Sequence, residues 1–207
     1  LTSIKGLGEA AIKQILDNRP FKTAEELLFN PDVAYGKLNK RTLDVLCRAQ
    51  ALNGLVDDRI TGLKHFWSAC VVDRPKSEKK FKENLELYRP EGEFEDEELI
   101  QYLVDLTGVY PMHLVMTAEL VDKLESRYIP RISEYDPELQ LVWFIPRKIV
   151  PKKTKNGKDY WIVEVIDDSS NMTRVRCWGV KRERDVLLTN HPYLARLEYS
   201  QDWGFST

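Results

Sequence analysis

At Leu139 the spacing of apolar residues changes from the three-or-four of an amphipathic helix to the alternation of a strand. A chain with one such switch carries its helices first and its sheet last, which is the pattern of an α+β protein. After the switch, Leu139–Val150 reads as a strand. Asn156-Gly157, inside the stretch Lys152–Lys158, is a strong hairpin signal. Tyr160–Ile166 reads as the second strand, Asp167–Asn171 as a turn and Thr173–Trp178 as the third strand. A short helical stretch is expected near Val180–Leu188, and a fourth strand at Tyr193–Tyr199.

Before the switch the chain reads as helical. Ala11, Ile12, Ile15 and Leu16 fall on one helical face, and Pro20 ends that helix. Thr23 stands three residues before Glu26, a capping-box spacing that opens a second helix through Leu27, Leu28 and Phe29. Asn39 caps a third, with Leu43, Leu46 and Cys47 inward and Leu52 near its end. Further helical pieces are expected at 60–72, 78–88, 96–106 and 117–128, punctuated by prolines.

Charge divides the chain in the same way. Residues 1–56 carry 8 Lys and Arg against 6 Asp and Glu, a net +2. Residues 57–138 carry 11 against 19, a net −8, and residues 139–207 carry 12 against 8, a net +4. An acidic middle between two mildly basic ends suggests a division of labour. Six acids crowd residues 91–98, and the plain reading is a solvated linker or the acidic first turn of a helix. No apolar run approaches the roughly 20 residues of a membrane span. The three cysteines, Cys47, Cys70 and Cys177, are odd in number and lack C-x-x-C spacing. That argues against a disulfide scaffold or zinc site and for a reducing compartment. The absence of an initiator Met, and an end at Trp203–Thr207 within a strand-like stretch, read as a piece cut from a longer chain.

The sharpest chemical signal is Ile4-Lys5-Gly6-Leu7-Gly8-Glu9-Ala10-Ala11-Ile12. Gly6 is suited to a left-handed turn, Gly8 leaves the backbone bare at a helix start, and Leu7 pins the turn to the core. Unpaired amides at a positive helix end make a phosphate site, with Lys5 and Lys13 beside it. A ligand-free turn between helices would need the same glycines. A dinucleotide fingerprint fits less well, because no strand precedes Gly6 and the third glycine is missing. A second turn at residues 37–43 repeats the arrangement without paired glycines: Asn39 caps, while Lys40 and Arg41 face an anion.

Three strands, a short helix and then more strands is the order of a five-stranded oligonucleotide-binding barrel, its last strand short or missing. A meander packed on helices has the same pattern. Alternation puts Trp161, Val163, Val165, Val175 and Cys177 inward, with Tyr160, Ile162, Glu164, Arg174, Arg176 and Trp178 outward. Outward Tyr160 and Trp178 beside Arg174 and Arg176 are the chemistry of a single-strand stacking surface, and Lys152, Lys153, Lys155 and Lys158 would extend its basic rim. The competing reading buries these aromatics against the acidic middle and pairs the arginines with its carboxylates.

In order, residues 4–9, 20–27, 38–43 and 49–52 resemble the tandem helix-hairpin-helix region of C-family replicative DNA polymerases, the alpha subunit of bacterial DNA polymerase III and its phage relatives. The resemblance implies a tandem helix-hairpin-helix domain at 1–56, an acidic, mainly helical connector at 57–138 and an OB-fold β-barrel at 139–207. It implies a DNA-binding part of a DNA-directed DNA polymerase, a cytoplasmic nucleotidyltransferase of a bacterium or phage-infected host. Its partners would be duplex and single-stranded DNA and a sliding clamp or other replisome proteins, without a membrane. The family often carries a sliding-clamp motif beginning with Gln, to which Gln101–Leu106 has a vague likeness; an amphipathic helix describes that segment better. Only Leu1–Lys5 precede the first hairpin, and the second hairpin lacks glycine.

No catalytic residues and no cofactor or metal site are expected in this segment. The family's metal-binding acids are spaced Asp-x-Asp, which does not occur here. Side chains of the adjacent pairs Asp57-Asp58 and Asp167-Asp168 diverge, and His65, His113 and His191 are isolated. Two other readings use the same modules: the DNA-binding region of a ligase or nuclease accessory factor, and a protein-interaction scaffold whose acidic middle meets basic partners.

Overall fold

The structure, a computed structural model, describes residues 1–180 and 186–207. It divides into two compact units, Leu1–Tyr110 and Pro111–Thr207, so the acidic stretch is shared between them.

The first unit is helical: α1 (Glu9–Asn18), α2 (Ala24–Phe29), α3 (Lys40–Arg48), α4 (Leu63–Trp67), α5 (Glu78–Leu87) and α6 (Asp96–Thr107). Thr23 caps α2 by accepting from the Glu26 amide, and the Glu26 carboxylate reaches back to the Lys22 N–H at 2.6 Å. Asn39 Oδ1 caps α3 by accepting from the Thr42 amide at 3.0 Å. Leu27, Leu28, Leu43, Leu46 and Cys47 are buried, as their helical spacing requires, and Leu38 is buried in the turn before α3. Leu16 is the exception on α1. It stays exposed, and Ala11 and Ile12 carry that helix's buried contact. Leu52 is buried, though in the turn after α3 rather than within it.

The acidic run caps helices. Glu93 Oε1 accepts from the Lys64 amide at 2.7 Å at the start of α4, packed so closely on Gly62 that a Cβ there would collide with it. Glu95 and Glu98 form a capping box on α6, and Asp96, Glu97 and Glu98 fill its first turn, where the helix dipole favours negative charge. Arg59 bridges Glu25 and Asp57 at 2.6 and 2.7 Å, tying α2 to the turn that follows α3. Hydrogen bonds from that guanidinium hold both carboxyls below their usual range. Gln101–Leu106 lies within α6, where Arg48 sits 4.3 Å over the Tyr102 ring and Phe94 meets it edge-on.

The second unit carries α7 (Met112–Val115) and α8 (Ala118–Ser126), then, among the described residues, six strands: β1 (Leu141–Lys153), β2 (Asp159–Ile166), β3 (Met172–Trp178), β4 (Tyr193–Arg196), β5 (Glu198–Ser200) and β6 (Gly204–Ser206). They form a curled half-barrel in the order β4-β1-β2-β3-β6-β5. The sheet curls because β1 changes partner. Leu141–Phe144 pair with β4 and Ile145–Lys153 with β2, with a bulge between Pro146 and Lys148. Leu197 alone separates β4 from β5, so the two edge strands are continuous in the chain. The expected fourth strand at Tyr193–Tyr199 is thus two, and a further three-residue strand, β6, pairs in parallel with β3. The helical expectation near Val180–Leu188 falls largely on residues 181–185, outside the described residues; Val186–Leu188 has no regular structure.

Val142, Phe144, Val163, Val165, Val175 and Leu197 form the core with Ile132, and Trp161 and Cys177 pack against it. Asp167 is buried and accepts from the Ser133 and Ser169 amides, 2.9 Å each, and from the Ser169 hydroxyl. Burial acts to raise its carboxyl, but those donors outweigh it and the net shift is downward. Among the described residues, no helix is long and apolar enough to cross a membrane.

Candidate nucleic-acid interface

The amino-terminal hairpin begins with Gly6, whose φ of +89° is the left-handed conformation that glycine alone adopts freely. A Cβ there would also come within 3.4 Å of Val45 Cγ2. Gly8 has an ordinary extended backbone (φ −77°, ψ 144°) and open space around it. Its role is different: it is the N-cap of α1 and supplies no side chain to cap it. The amides of Gly6, Gly8, Glu9 and Ala10 therefore have no acceptor among the described residues, and all four residues are exposed. Two neighbouring amides are already used: Lys5 N–H donates to Leu106 O at 2.7 Å and Leu7 N–H to Ile4 O at 3.5 Å. Leu7 is half-buried, which fits its expected anchoring role.

The charges around this turn are less concentrated than the sequence suggests. Lys5 is exposed, but Lys13 pairs with Asp17 at 2.6 Å on its own helix. Glu9, which sequence reasoning left out of the site, is exposed among the unpaired amides. In the second hairpin the Asn39 side chain is spent on capping, and Lys40 Nζ donates to Val72 O at 2.8 Å. Arg41 is exposed, with no partner among the described residues.

On the sheet, the split between faces holds at every position named. Val163, Val165 and Val175 are buried, and register sets the outward residues directly opposite one another: Tyr160 with Trp178, Ile162 with Arg176, and Glu164 with Arg174. Tyr160 and Trp178 stack at 4.6 Å with 25° between planes, and Trp178 remains 44% exposed. Arg174 is held by Glu164 of the neighbouring strand at 2.9 Å, and Arg176 lies 5.5 Å from the Trp203 ring. Lys152, Lys153, Lys155 and Lys158 are exposed around the β1–β2 turn. There Gly157, at φ +76°, donates to Thr154 O. Trp203 was the aromatic residue missed in the sequence. Alternation breaks at Gln201-Asp202, so period alone gives no sign that it joins this face.

The adjacent acid pairs have structural partners: Asp57 with Arg59, Asp167 with the two serines, and Asp168 with Arg131. His65 is buried, its Nδ1 accepting from the Thr61 amide and its Nε2 bonded to Leu85 O. Among the described residues, no group of three or more His, Cys, Asp or Glu is placed to hold a metal ion.

No curated protein matches the chain. The family model of the helix-hairpin-helix motif matches residues 1–61, the segment that holds both turns and the exposed amides of α1, and it marks this part of the chain as a DNA-binding helix-hairpin-helix region.

Proposed function

We propose that this chain is a noncatalytic DNA-holding region of a C-family replicative DNA polymerase. Its helical unit grips duplex backbone without reading sequence, and its barrel contacts single-stranded template. The observation that carries the reading is the row of exposed, unpaired amides at Gly6, Gly8, Glu9 and Ala10, within a matched helix-hairpin-helix segment. A phosphate there would accept from amides already oriented by the helix start. Support for the barrel comes from its pairing circuit. β1 pairs with both β2 and β4, β3 pairs in parallel with the last strand, and the edge strands join through Leu197. That circuit is compatible with an oligonucleotide-binding barrel. The outward Tyr160–Trp178 stack and the lysines of the β1–β2 turn supply its base and phosphate contacts. The polymerase assignment itself rests on the resemblance, specific over about residues 1–56 and fair over 139–199.

Fluorescence anisotropy with labelled duplex and single strands, at several salt concentrations, tests the reading. Both should bind, with log affinity falling by about 0.9 per duplex phosphate contact and about 0.7 per single-strand contact for each log unit of salt. Binding of neither would refute it and favour the scaffold.

A further inference from the structure

Beside the Tyr160–Trp178 stack the sheet face opens into a cleft of about 550 Å³, between β3 and the turn joining β5 to β6. Glu164, Met172, Arg174, Arg176, Tyr199 and Trp203 line it. Trp203 is 63% exposed, although its turn is well fixed: its amide donates to Ser200 Oγ at 3.1 Å, and Gly204 follows in the left-handed conformation. An indole so far out of the core, on a built turn, has one ring face backed by the Arg176 guanidinium. Arg174 is oriented by two bonds to Glu164 Oε1, through Nε and one terminal nitrogen, while Nη1 keeps its donors without an acceptor among the described residues. Along β3 the outward residues Trp178, Arg176 and Arg174 step by about 6.8 Å, two residues of strand rise each.

We propose that this cleft holds one unpaired nucleotide, its base stacked on Trp203 and its phosphate on Arg174. Arg176 acts behind the ring as a positioning residue. The inference rests on the single-strand reading of the barrel and adds to it a second stacking platform beyond the Tyr160–Trp178 pair. The volume lies within the roughly 300–1,000 Å³ of small-ligand sites, and the pairing of an aromatic ring with arginines suits a base and its phosphate.

The test titrates the full 207-residue chain with an oligo(dT) single strand, following tryptophan fluorescence and anisotropy. Trp203→Ala should weaken binding about 5- to 150-fold, the equivalent of one lost base stack. Trp203→Phe should keep most of the affinity while losing part of the fluorescence quenching, a change that a merely structural tryptophan would not produce. Trp178→Ala serves as the control for the broader reading. If it weakens binding while Trp203→Ala, with an unchanged melting temperature, does not, the cleft proposal is overturned and the barrel reading stands. If the wild-type chain binds no single strand, the barrel reading itself falls. Should Trp203→Ala melt early, Trp203→Phe decides: retained quenching with retained affinity overturns the proposal.

Discussion

Gly8→Asp should make the helical unit slightly more stable and its grip on duplex DNA much weaker. Gly8 caps α1 without a side chain, in an extended conformation that any residue adopts, with open space where a Cβ would go. Aspartate is among the preferred N-caps and glycine only somewhat worse, so the substitution adds a few tenths of a kcal/mol. A capping carboxylate accepts from the second or third helical amide. Ala11 N–H already donates to Gly8 O at 2.9 Å, so the amide it captures is that of Ala10. A DNA phosphate then loses one charge-assisted hydrogen bond, about 1.5–3 kcal/mol. It also meets a new like charge, which at about 5 Å in water costs about 0.8 kcal/mol. Together these are about 3 kcal/mol, or about 150-fold in Kd. Anisotropy on a labelled duplex at fixed low salt reads the affinity, and circular dichroism melting reads the fold. Gly8→Asn caps without the charge and should fall between wild type and Gly8→Asp, while Gly8→Ala should stay within about threefold of wild type. Undiminished duplex affinity in a folded Gly8→Asp would mean that phosphate does not sit on these amides.

Glu9→Gln removes the exposed carboxylate standing among the same amides. One like-charge contact at about 4 Å in water is about 1 kcal/mol, so duplex affinity should rise about fivefold at low salt and the gain should shrink as salt is added; an unchanged or weaker affinity contradicts the placement. For Asp167, whose folded carboxyl titrates below its usual range, the stabilisation is complete above the unfolded value near 4 and is lost as pH falls through the lower folded value. Asp167→Asn presents an amide to the Ser133 and Ser169 donors and should cost about 1–3 kcal/mol at neutral pH. The gap from wild type should close toward pH 2 in melts, and a gap that widens with acid would refute the account.

Local signals in the sequence carried far along the chain. Thr23 and Asn39 are caps because a short polar side chain before an apolar helical face has one favourable use, and both sit where that rule puts them. Strand alternation separated Val163 and Val175 from Glu164 and Arg174, since a period of two leaves no third face. Gly6 was legible because a left-handed turn needs glycine. What proved illegible was long-range. Leu16 has the spacing of a core residue but stays exposed, and Lys40 has the look of a phosphate ligand until Val72 O takes its ammonium.

The sequence by itself determined the order of helix and sheet, the caps, the inward and outward faces, and the bare amides that follow Gly6, because each depends on residues a few positions apart. Only the tertiary structure decided that Glu93 caps α4, that Arg174 answers to Glu164, and that Trp203 comes to lie against Arg176. Those outcomes depend on which strand or turn comes alongside which. A chain's local preferences leave that choice open until burial of the whole core settles it.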